Sequence, residues 1–422
     1  MKAKVIEIRW NDKQPIYSTD FHSLAPTEHR PTATAWRLAT CGADNKIRLW
    51  LVYPADPRVE YLATLSQHQG VVNCVRFSPD GGALASAGDD GNILIWVPGQ
   101  GTKSFGDAQQ SAEDLAFEKE SWRVKGMIRS LSGKEIYDLA WSPSGNRILA
   151  GSVDHTATIY DVASCSPVYR LAEHTNYVQG VAWDPRGGYI ATQSSDRTMH
   201  VYSVDEAQNG VEVHPVGKNS RMQPPTFFPP QDANPSSSLL PSGVGLGIAA
   251  ENNNPQQQRV ESVKLYSDAN STHFFRRLAW SPDGALLLTP AGLWQDPSSS
   301  EPKPTVYIYS RNNIARPPIA HLPGHQTTSL GIRFCPVFWD RNNAPPPPRS
   351  LFDLPYRMVY AVATLDSVYL YDTQQAGPLA MFGNLHYAPF TDLTWSPDGQ
   401  TLVVSSQDGY CSVIAFEPGE LG

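Results

Sequence analysis

The sequence predicts an all-β protein, a closed seven-bladed β-propeller, and three observations carry that prediction. The first is a repeated phrase. An apolar strand ends in an aromatic residue, a Ser-Pro-Asp-Gly-like turn follows, and a second strand leads to an Asp six residues before another aromatic. It reads Phe77-Ser-Pro-Asp-Gly81 with Asp90 and Trp96, Trp141-Ser-Pro-Ser-Gly145 with Asp154 and Tyr160, and Trp183-Asp-Pro-Arg-Gly187 with Asp196 and Tyr202. The turn alone returns at Trp280-Ser-Pro-Asp-Gly284 and Trp395-Ser-Pro-Asp-Gly399. The second is the period: self-similarity at roughly 40–45 residues marks a four-stranded blade of the WD-repeat kind. The third is length. Seven blades of about 42 residues need roughly 300 of the 422, leaving on the order of 120 for insertions and ends.

Blade one runs from about Pro15 to Tyr53, with Ile16-Tyr-Ser-Thr-Asp-Phe21 as its inner strand and Leu38–Asp44 leading to Ile47-Arg-Leu-Trp50. Blade two spans about 61–97, blade three about 127–162 and blade four about 168–204. Alternating apolar residues, β-branched enrichment and Gly/Pro/Asp punctuation make these strand-and-turn strings. The later blades are degenerate. Blade five starts at Phe274-Phe-Arg-Arg-Leu-Ala-Trp280 and closes with Thr305–Tyr309, blade six starts at Ser329–Phe334 and closes with Ser367–Tyr371, and blade seven starts at Phe390–Trp395 with Ile414 at its closing position. Lys4-Val-Ile-Glu-Ile-Arg9 is then left over. It is expected to complete the edge of the last blade, which closes the ring and removes an exposed strand edge.

Three insertions break the rhythm: 98–121, 205–262 and 341–350. The second holds Phe227-Phe-Pro-Pro230 and Asn252-Asn-Asn-Pro-Gln-Gln-Gln258, a composition that buries too little apolar surface to offset ordering entropy, so it is expected to be mostly disordered. A formal charge of −8, from 33 basic and 41 acidic residues, argues against a chain that grips nucleic acid directly. Cys41, Cys74, Cys165, Cys335 and Cys411 are odd in number and scattered, so neither a disulfide framework nor a zinc site is indicated. The charged start, Met1 to Trp10, lacks the apolar core of a signal peptide, and no run approaches 18 apolar residues. A chain without membrane spans, in a reducing compartment, is expected.

A second regularity places a His nine residues before several inner-strand aromatics: His68, His174, His325 and His386. Blades two, four and seven therefore hold the pairs His68/Asp90, His174/Asp196 and His386/Asp408. In an antiparallel blade the His enters the first strand and the Asp leaves the second, so both lie at one end. A hydrogen bond there ties two connections together, and the pairs read as structural. Blades one and three keep Asp44 and Asp154 but have Asp12 and Ser132 at the His position. No nucleophile elbow, H-E-x-x-H or glycine-rich phosphate loop stands in the chain, so neither catalysis nor a cofactor or metal is expected. The residues three and four before each aromatic are expected near the channel rim. Tyr137, Asp138, Gln179, Arg276, Arg277 and Asp392 among them are candidates for partner binding; the two arginines either pair with acids of neighbouring blades, the favoured reading, or present an anion-binding patch.

Several strings are more specific than a propeller requires. They are Glu7-Ile-Arg-Trp10 with Pro15-Ile-Tyr-Ser18, Tyr177–Pro185, Phe274-Phe-Arg-Arg277 with Leu288-Thr-Pro-Ala-Gly292, Leu354-Pro-Tyr-Arg357, Asp366–Gln375, and Asp408-Gly-Tyr-Cys411 with Gly419-Glu-Leu-Gly422. On these the chain resembles the middle WD-repeat subunit of chromatin assembly factor one, in its fungal form. The resemblance implies a non-enzymatic nuclear subunit of a histone chaperone. Its implied partners are a large acidic subunit, a second WD-repeat subunit and a histone three–histone four dimer deposited on newly replicated DNA, with DNA itself touched only indirectly. It also implies contact with another histone chaperone through a tail beyond the propeller, which this sequence does not include. The replication-independent histone chaperone complex has a similar WD-repeat subunit, sharing the Phe-Phe-Arg-Arg string, and propeller architecture alone also admits a substrate adaptor of a ubiquitin ligase.

Overall fold

The structure, a computed structural model, describes residues 2–6, 11–23, 35–53, 58–99, 117–207, 210–222, 262–268, 274–295, 301–341, 352–417 and 419–421. Among them the strands form seven four-stranded antiparallel sheets and one two-stranded ribbon. Blade one is built from Ile16–Ser23, Trp36–Gly42, Ile47–Val52 and Val59–Leu65, and blade two from Val72–Phe77, Leu84–Gly88, Asn92–Pro98 and Trp122–Arg129. Blade three runs from Ile136–Trp141 out to Ser166–Leu171, blade four from Val178–Trp183 to Gly210–Asn219, blade five from Ala279–Trp280 to Ala320–Leu322, and blade six from Ser329–Trp339 to Ala380–Gly383. Blade seven holds Phe390–Trp395, Thr401–Ser406, Cys411–Ala415 and, as its fourth strand, Lys2–Ile6. The inner strand of blade one packs against those of blades two and seven, closing the ring.

Burial explains why these strings fold as strands rather than half-wet ribbons. Each blade is covered on both faces by its neighbours, so inner strands such as Val72–Phe77, Val178–Trp183 and Phe390–Trp395 are buried at every position. Outer strands such as Trp122–Arg129 alternate between buried and exposed. The apolar clusters lie between blades. One joins Leu49, Leu51 and Leu62 to Val75, Phe77 and Trp96, and another joins Ile16, Leu38 and Trp50 to Val403 and Val413 across the point of closure. All five cysteines are free.

The repeated turn has a local cause. Ser78 O accepts from Gly81 N at 2.8 Å, and Ser78 Oγ donates to Asp80 Oδ1 at 2.6 Å while accepting from Ala83 N at 2.9 Å. Pro79 fixes the second turn position, and Gly81 takes a φ of +68°, which side-chain-bearing residues rarely adopt. Gly145, Gly187, Gly284 and Gly399 take φ between +67° and +83° in the same place.

The structure corrects three expectations. The windows drawn for blades two, three and four each began one strand early. Val59–Leu65, Trp122–Arg129 and Ser166–Leu171 are the outer strands of the preceding blades. A repeat read along the chain straddles two blades, because an outer strand and the inner strand after it are consecutive in sequence but paired to different sheets.

The segment 205–262 is not wholly an insertion. Met199–Ala207 and Gly210–Asn219 pair in register from Met199 with Asn219 to Ala207 with Gly210 and complete blade four. Pro215 is tolerated because it stands on the outer edge, beside the irregularity between Val201 and Tyr202. Residues 223–261 lie outside the described residues, as do 100–116 and 342–351 of the other insertions. The N-terminal strand pairs with the last blade, Lys4 opposite Val413, but over Lys2–Ile6 rather than Lys4–Arg9, with residues 7–10 outside the described set.

Candidate functional site

The pleat decides what fills the channel. Side chains alternate along an inner strand, so the residues one and three before its terminal aromatic share a face, and that face is the channel. The upper layer, three before, holds Arg277 with Asp138 and Asp392, beside Ser18 and Cys74 and two glycines, Gly180 and Gly331. The lower layer, one before, holds Asp20, Arg76 and Arg333 on one side and Ala140, Ala182 and Ala279 on the other.

Arg277 plugs the upper layer. From blade five its Nη1 donates to Thr391 O of blade seven at 2.6 Å and to Tyr17 O of blade one at 3.0 Å, and its Nη2 donates to Asn73 O of blade two at 2.8 Å. Its Nε lies 3.4 Å from Asp138 Oδ1 of blade three, and its Nη1 lies 3.7 Å from Asp392 Oδ2. The Phe275 ring stacks beneath the guanidinium at 3.9 Å. The backbone of the same segment is spent sideways: Arg276 N donates to Gln179 O of blade four, Arg277 N donates to Leu330 O of blade six, and Ile332 N donates back to Arg277 O. Blade five therefore touches every other blade, and its regular inner strand shrinks to Ala279–Trp280. Gly180 is required for this approach, since a Cβ there would stand 1.8 Å from Arg276 O.

Asp392 gathers the cations. Burial works to raise its carboxyl, but Arg277, Arg76, Arg333 and the Ser18 hydroxyl outweigh that and hold it well below the usual carboxylate range. Arg76 Nη1 lies 3.0 Å from its Oδ2, and Ser18 Oγ donates to the same oxygen at 2.8 Å. Asp20 is shifted the other way, pushed up chiefly by burial. Among the described residues Arg276 takes no acid as direct partner. Its guanidinium donates to the carbonyls of Ser194, Ser267 and Asp268 at 2.8–3.1 Å, and burial pulls it down to about 10.

Of the six residues marked for partner binding, five are corrected. Asp138 and Gln179 are 2% and 6% exposed, and Arg276, Arg277 and Asp392 are 0% exposed, so none stands on the rim. The position three before the aromatic points into a filled channel, and at the position four before Arg276 is turned to the carbonyls of Ser194, Ser267 and Asp268. Tyr137 alone is half-buried, with the rings of Tyr177 and Phe274 at 6.4 and 6.3 Å.

At the opposite end of each inner strand from its aromatic lie the His/Asp pairs. His68 Nδ1 is 2.9 Å from Asp90 Oδ2, His174 Nδ1 is 2.9 Å from Asp196 Oδ2, and His386 Nδ1 is 2.9 Å from Asp408 Oδ2. The other ring nitrogen of each meets a hydroxyl: Ser86 at 2.7 Å, Thr192 at 2.8 Å and Ser412 at 2.8 Å. In blade two the chain extends to Trp96, whose Nε1 donates to Ser86 Oγ at 2.8 Å. Burial opposes the charge on Asp90, but the hydrogen bond and charge of His68, with two backbone N–H groups, hold it at about 2.

Blade one builds the same chain from different residues. Asn11, not Asp12, takes the His place. Its Nδ2 donates to Asp44 Oδ1 at 3.0 Å and its Oδ1 accepts from Thr40 Oγ1 at 2.9 Å, which in turn accepts from Trp50 Nε1 at 2.9 Å. Asp12 and Lys13 both take positive φ, so the turn carries one extra residue and Asp12 is released to pair with Arg48. Sequence reasoning missed Asn11 for that reason. It also missed Asp20, Arg76 and Arg333, which the period-two rule places in the channel one residue before the aromatics.

Comparison with known proteins adds the lineage. A family model described as the CAF1B/HIR1 beta-propeller domain matches residues 1–224 and 247–421. The chain is 40% identical to the B subunit of chromatin assembly factor 1 from Schizosaccharomyces pombe, over all of this chain and 89% of that protein, and 38% identical to its namesake in Mus musculus, over all of this chain and 68% of that protein. Protein HIR1 of Candida albicans aligns at 26% identity over 86% of this chain and 34% of its own length. The match over nearly the whole chain, with the Phe-Phe-Arg-Arg segment as its central plug, means that this chain belongs to the CAF1B/HIR1 β-propeller family.

Proposed function

We propose that the chain is the propeller subunit of a chromatin assembly factor, a non-enzymatic nuclear scaffold. It joins a large acidic subunit and a second WD-repeat subunit to receive histone three–histone four dimers for newly replicated DNA. The observation that carries the proposal is the full-length likeness to proteins named as the B subunit of chromatin assembly factor 1, well above that to HIR1. The structure supports a scaffold in its architecture. The buried His, Asp and Arg groups described above are engaged in holding blades together, which leaves surfaces rather than those groups for the work.

Histones are bound weakly by this subunit alone. A charge of −8 is spread over 422 residues with no run of five or six acids, and Asp138 and Asp392 are withdrawn from the surface altogether. Binding isotherms of the isolated chain with histone three–histone four at near-physiological salt test this. Weak binding that becomes tight when the large subunit is added is the expected result. Nanomolar affinity of the chain alone overturns the division of labour.

A further inference from the structure

Tyr137 is the one candidate for partner binding that the filled channel does not absorb, and it stands among other aromatic rings. At the end of the propeller where the inner strands begin, Tyr137 of blade three meets Tyr177, which leads into blade four, and Phe274, which leads into blade five. The Tyr137 ring lies at 83° to the first and 61° to the second, so the three present faces as well as edges to anything resting among them. Tyr177 is 43% exposed and Phe274 is 57% exposed. His155, in the turn between the second and third strands of blade three, extends the cluster, its ring 5.9 Å from that of Tyr177. Large apolar groups left together in water mark a docking surface more often than scattered ones do.

Two acids flank the rings. Asp89 follows the second strand of blade two, and Glu135 precedes the inner strand of blade three. Asp89 Oδ1 accepts from Asn73 Nδ2 at 2.8 Å, and the same nitrogen donates to Ile136 O at 3.0 Å, which holds the carboxylate beside the start of the strand that carries Tyr137. Partial burial pushes the Asp89 carboxyl up against the hydrogen bond from Asn73, and the charges of Glu135 and Asp90 add to the push. Burial, then Asp89 and Glu135, push the Tyr137 hydroxyl up to about 12. The two acids therefore act on each other and on the ring, yet among the described residues neither has a cation as ion-pair partner. Lys134 is exposed and pairs with neither. Arg277 reaches this end through the carbonyls of Tyr17 and Asn73, but its charge is met by Asp138 and Asp392. Exposed rings beside uncompensated acids call for a cation with an apolar stem.

We infer that this face docks an extended basic peptide of a partner protein, with an arginine laid on the rings of Tyr137, Tyr177 and Phe274 and its guanidinium turned to Asp89 and Glu135. A guanidinium suits both halves of the site, because its plane stacks on aromatic faces and its fork bonds carboxylates. The docking surface goes beyond membership of a chromatin assembly complex, and neither reading depends on the other.

Fluorescence anisotropy tests the site on the whole chain, with a labelled, capped peptide of glycine and alanine that carries arginine at alternate positions. Its counterparts carry citrulline, leucine or glutamate in place of arginine. Saturable one-to-one binding of the arginine peptide is expected, about tenfold or more tighter than the citrulline and leucine peptides, with the glutamate peptide silent. Asp89→Asn keeps an acceptor for Asn73 and removes only the charge, while Tyr177→Ala and Phe274→Ala each remove an exposed ring. Each of the three is expected to weaken binding of the arginine peptide about tenfold, with thermal unfolding verifying that the variant is folded. Phe338→Ala removes an exposed ring beyond the far end of an inner strand and is expected to bind as the unaltered chain does. Equal binding of the arginine and citrulline peptides overturns the proposal, as does tighter binding of the leucine or glutamate peptide. So does the absence of saturable binding, or arginine-peptide binding that none of the three variants weakens or that Phe338→Ala weakens as much.

Discussion

The Arg277 guanidinium of blade five donates to the Thr391 carbonyl of blade seven at 2.6 Å, across the axis of the ring. The same group satisfies carbonyls of blades one and two and faces carboxylates from blades three and seven. Removing it strands three carbonyls and takes one cation from each of two buried acids. Arg277→Met is expected to lower stability by about 3–5 kcal/mol, because it breaks a buried charge network on one side only. Arg277→Lys is expected to recover little, since an ammonium cannot fork to three carbonyls. Urea unfolding followed by tryptophan fluorescence measures both, and a loss under about 1 kcal/mol for the methionine variant contradicts the role of this residue as the plug.

The His174–Asp196 pair predicts non-additivity. Each single alanine variant leaves the other partner's buried polar group unmade, at a cost of about 1–3 kcal/mol. The double variant is expected to lose less than the sum. Additive losses in the cycle mean that the 2.9 Å contact contributes nothing of its own.

His325 predicts a slope with pH. Among the described residues it has no carboxylate partner. Its Nε2 meets the Tyr371 hydroxyl at 2.9 Å, and burial pushes the ring down to about 4. The unfolded chain takes up the proton near 6.5, so the contribution is whole above that pH and is lost as pH falls toward 4, on the order of 3 kcal/mol. Asp90, held at about 2, acts lower: its contribution is whole above about 4 and is lost toward 2. His325→Phe is expected to lessen the loss between pH 6.5 and 4, to which His200, His321 and His386, also shifted down by burial, contribute the remainder, and to leave the lower limb intact. An unchanged upper limb contradicts the assignment.

What could be read in the sequence was what is local. The Ser-Pro-Asp-Gly turn, the aromatic that ends each inner strand and the His–Asp spacing are all written within 45 residues of chain, so the blades and their end ties were visible. The closing positions fell in register as well, with Ile414 opposite Leu402 just as Trp96 stands opposite Leu84. Pairing between blades was not visible. Nothing in Val59–Leu65 says which neighbour it joins, and Gly210–Asn219 was hidden by a proline that only an edge strand tolerates. The channel was misjudged because rim and interior differ by one step of the pleat: Asp138 and Asp392 are acids that look exposed in sequence and are enclosed by cations from blades far away in the chain.

Blade four carries a prediction from that correction. Deleting 210–258 removes its outer strand and is expected to lower the melting temperature by several degrees and expose the Met199–Ala207 edge. Deleting only 225–258, the Pro-, Asn- and Gln-rich stretch, is expected to leave the melting temperature unchanged, because shortening a long connection costs little. Equal melting temperatures for the two deletions contradict the pairing of Gly210–Asn219 as a stabilising strand.

The central claim is membership of a chromatin assembly complex, and purification of the tagged chain from a fission yeast strain lacking its own copy of the propeller subunit tests it most directly. Mass spectrometry of the salt-washed complex is predicted to find the large acidic subunit and the second WD-repeat subunit in equal proportion to the chain, with histones three and four associated. A complex holding the subunits of the replication-independent chaperone or of a ubiquitin ligase in their place contradicts the account.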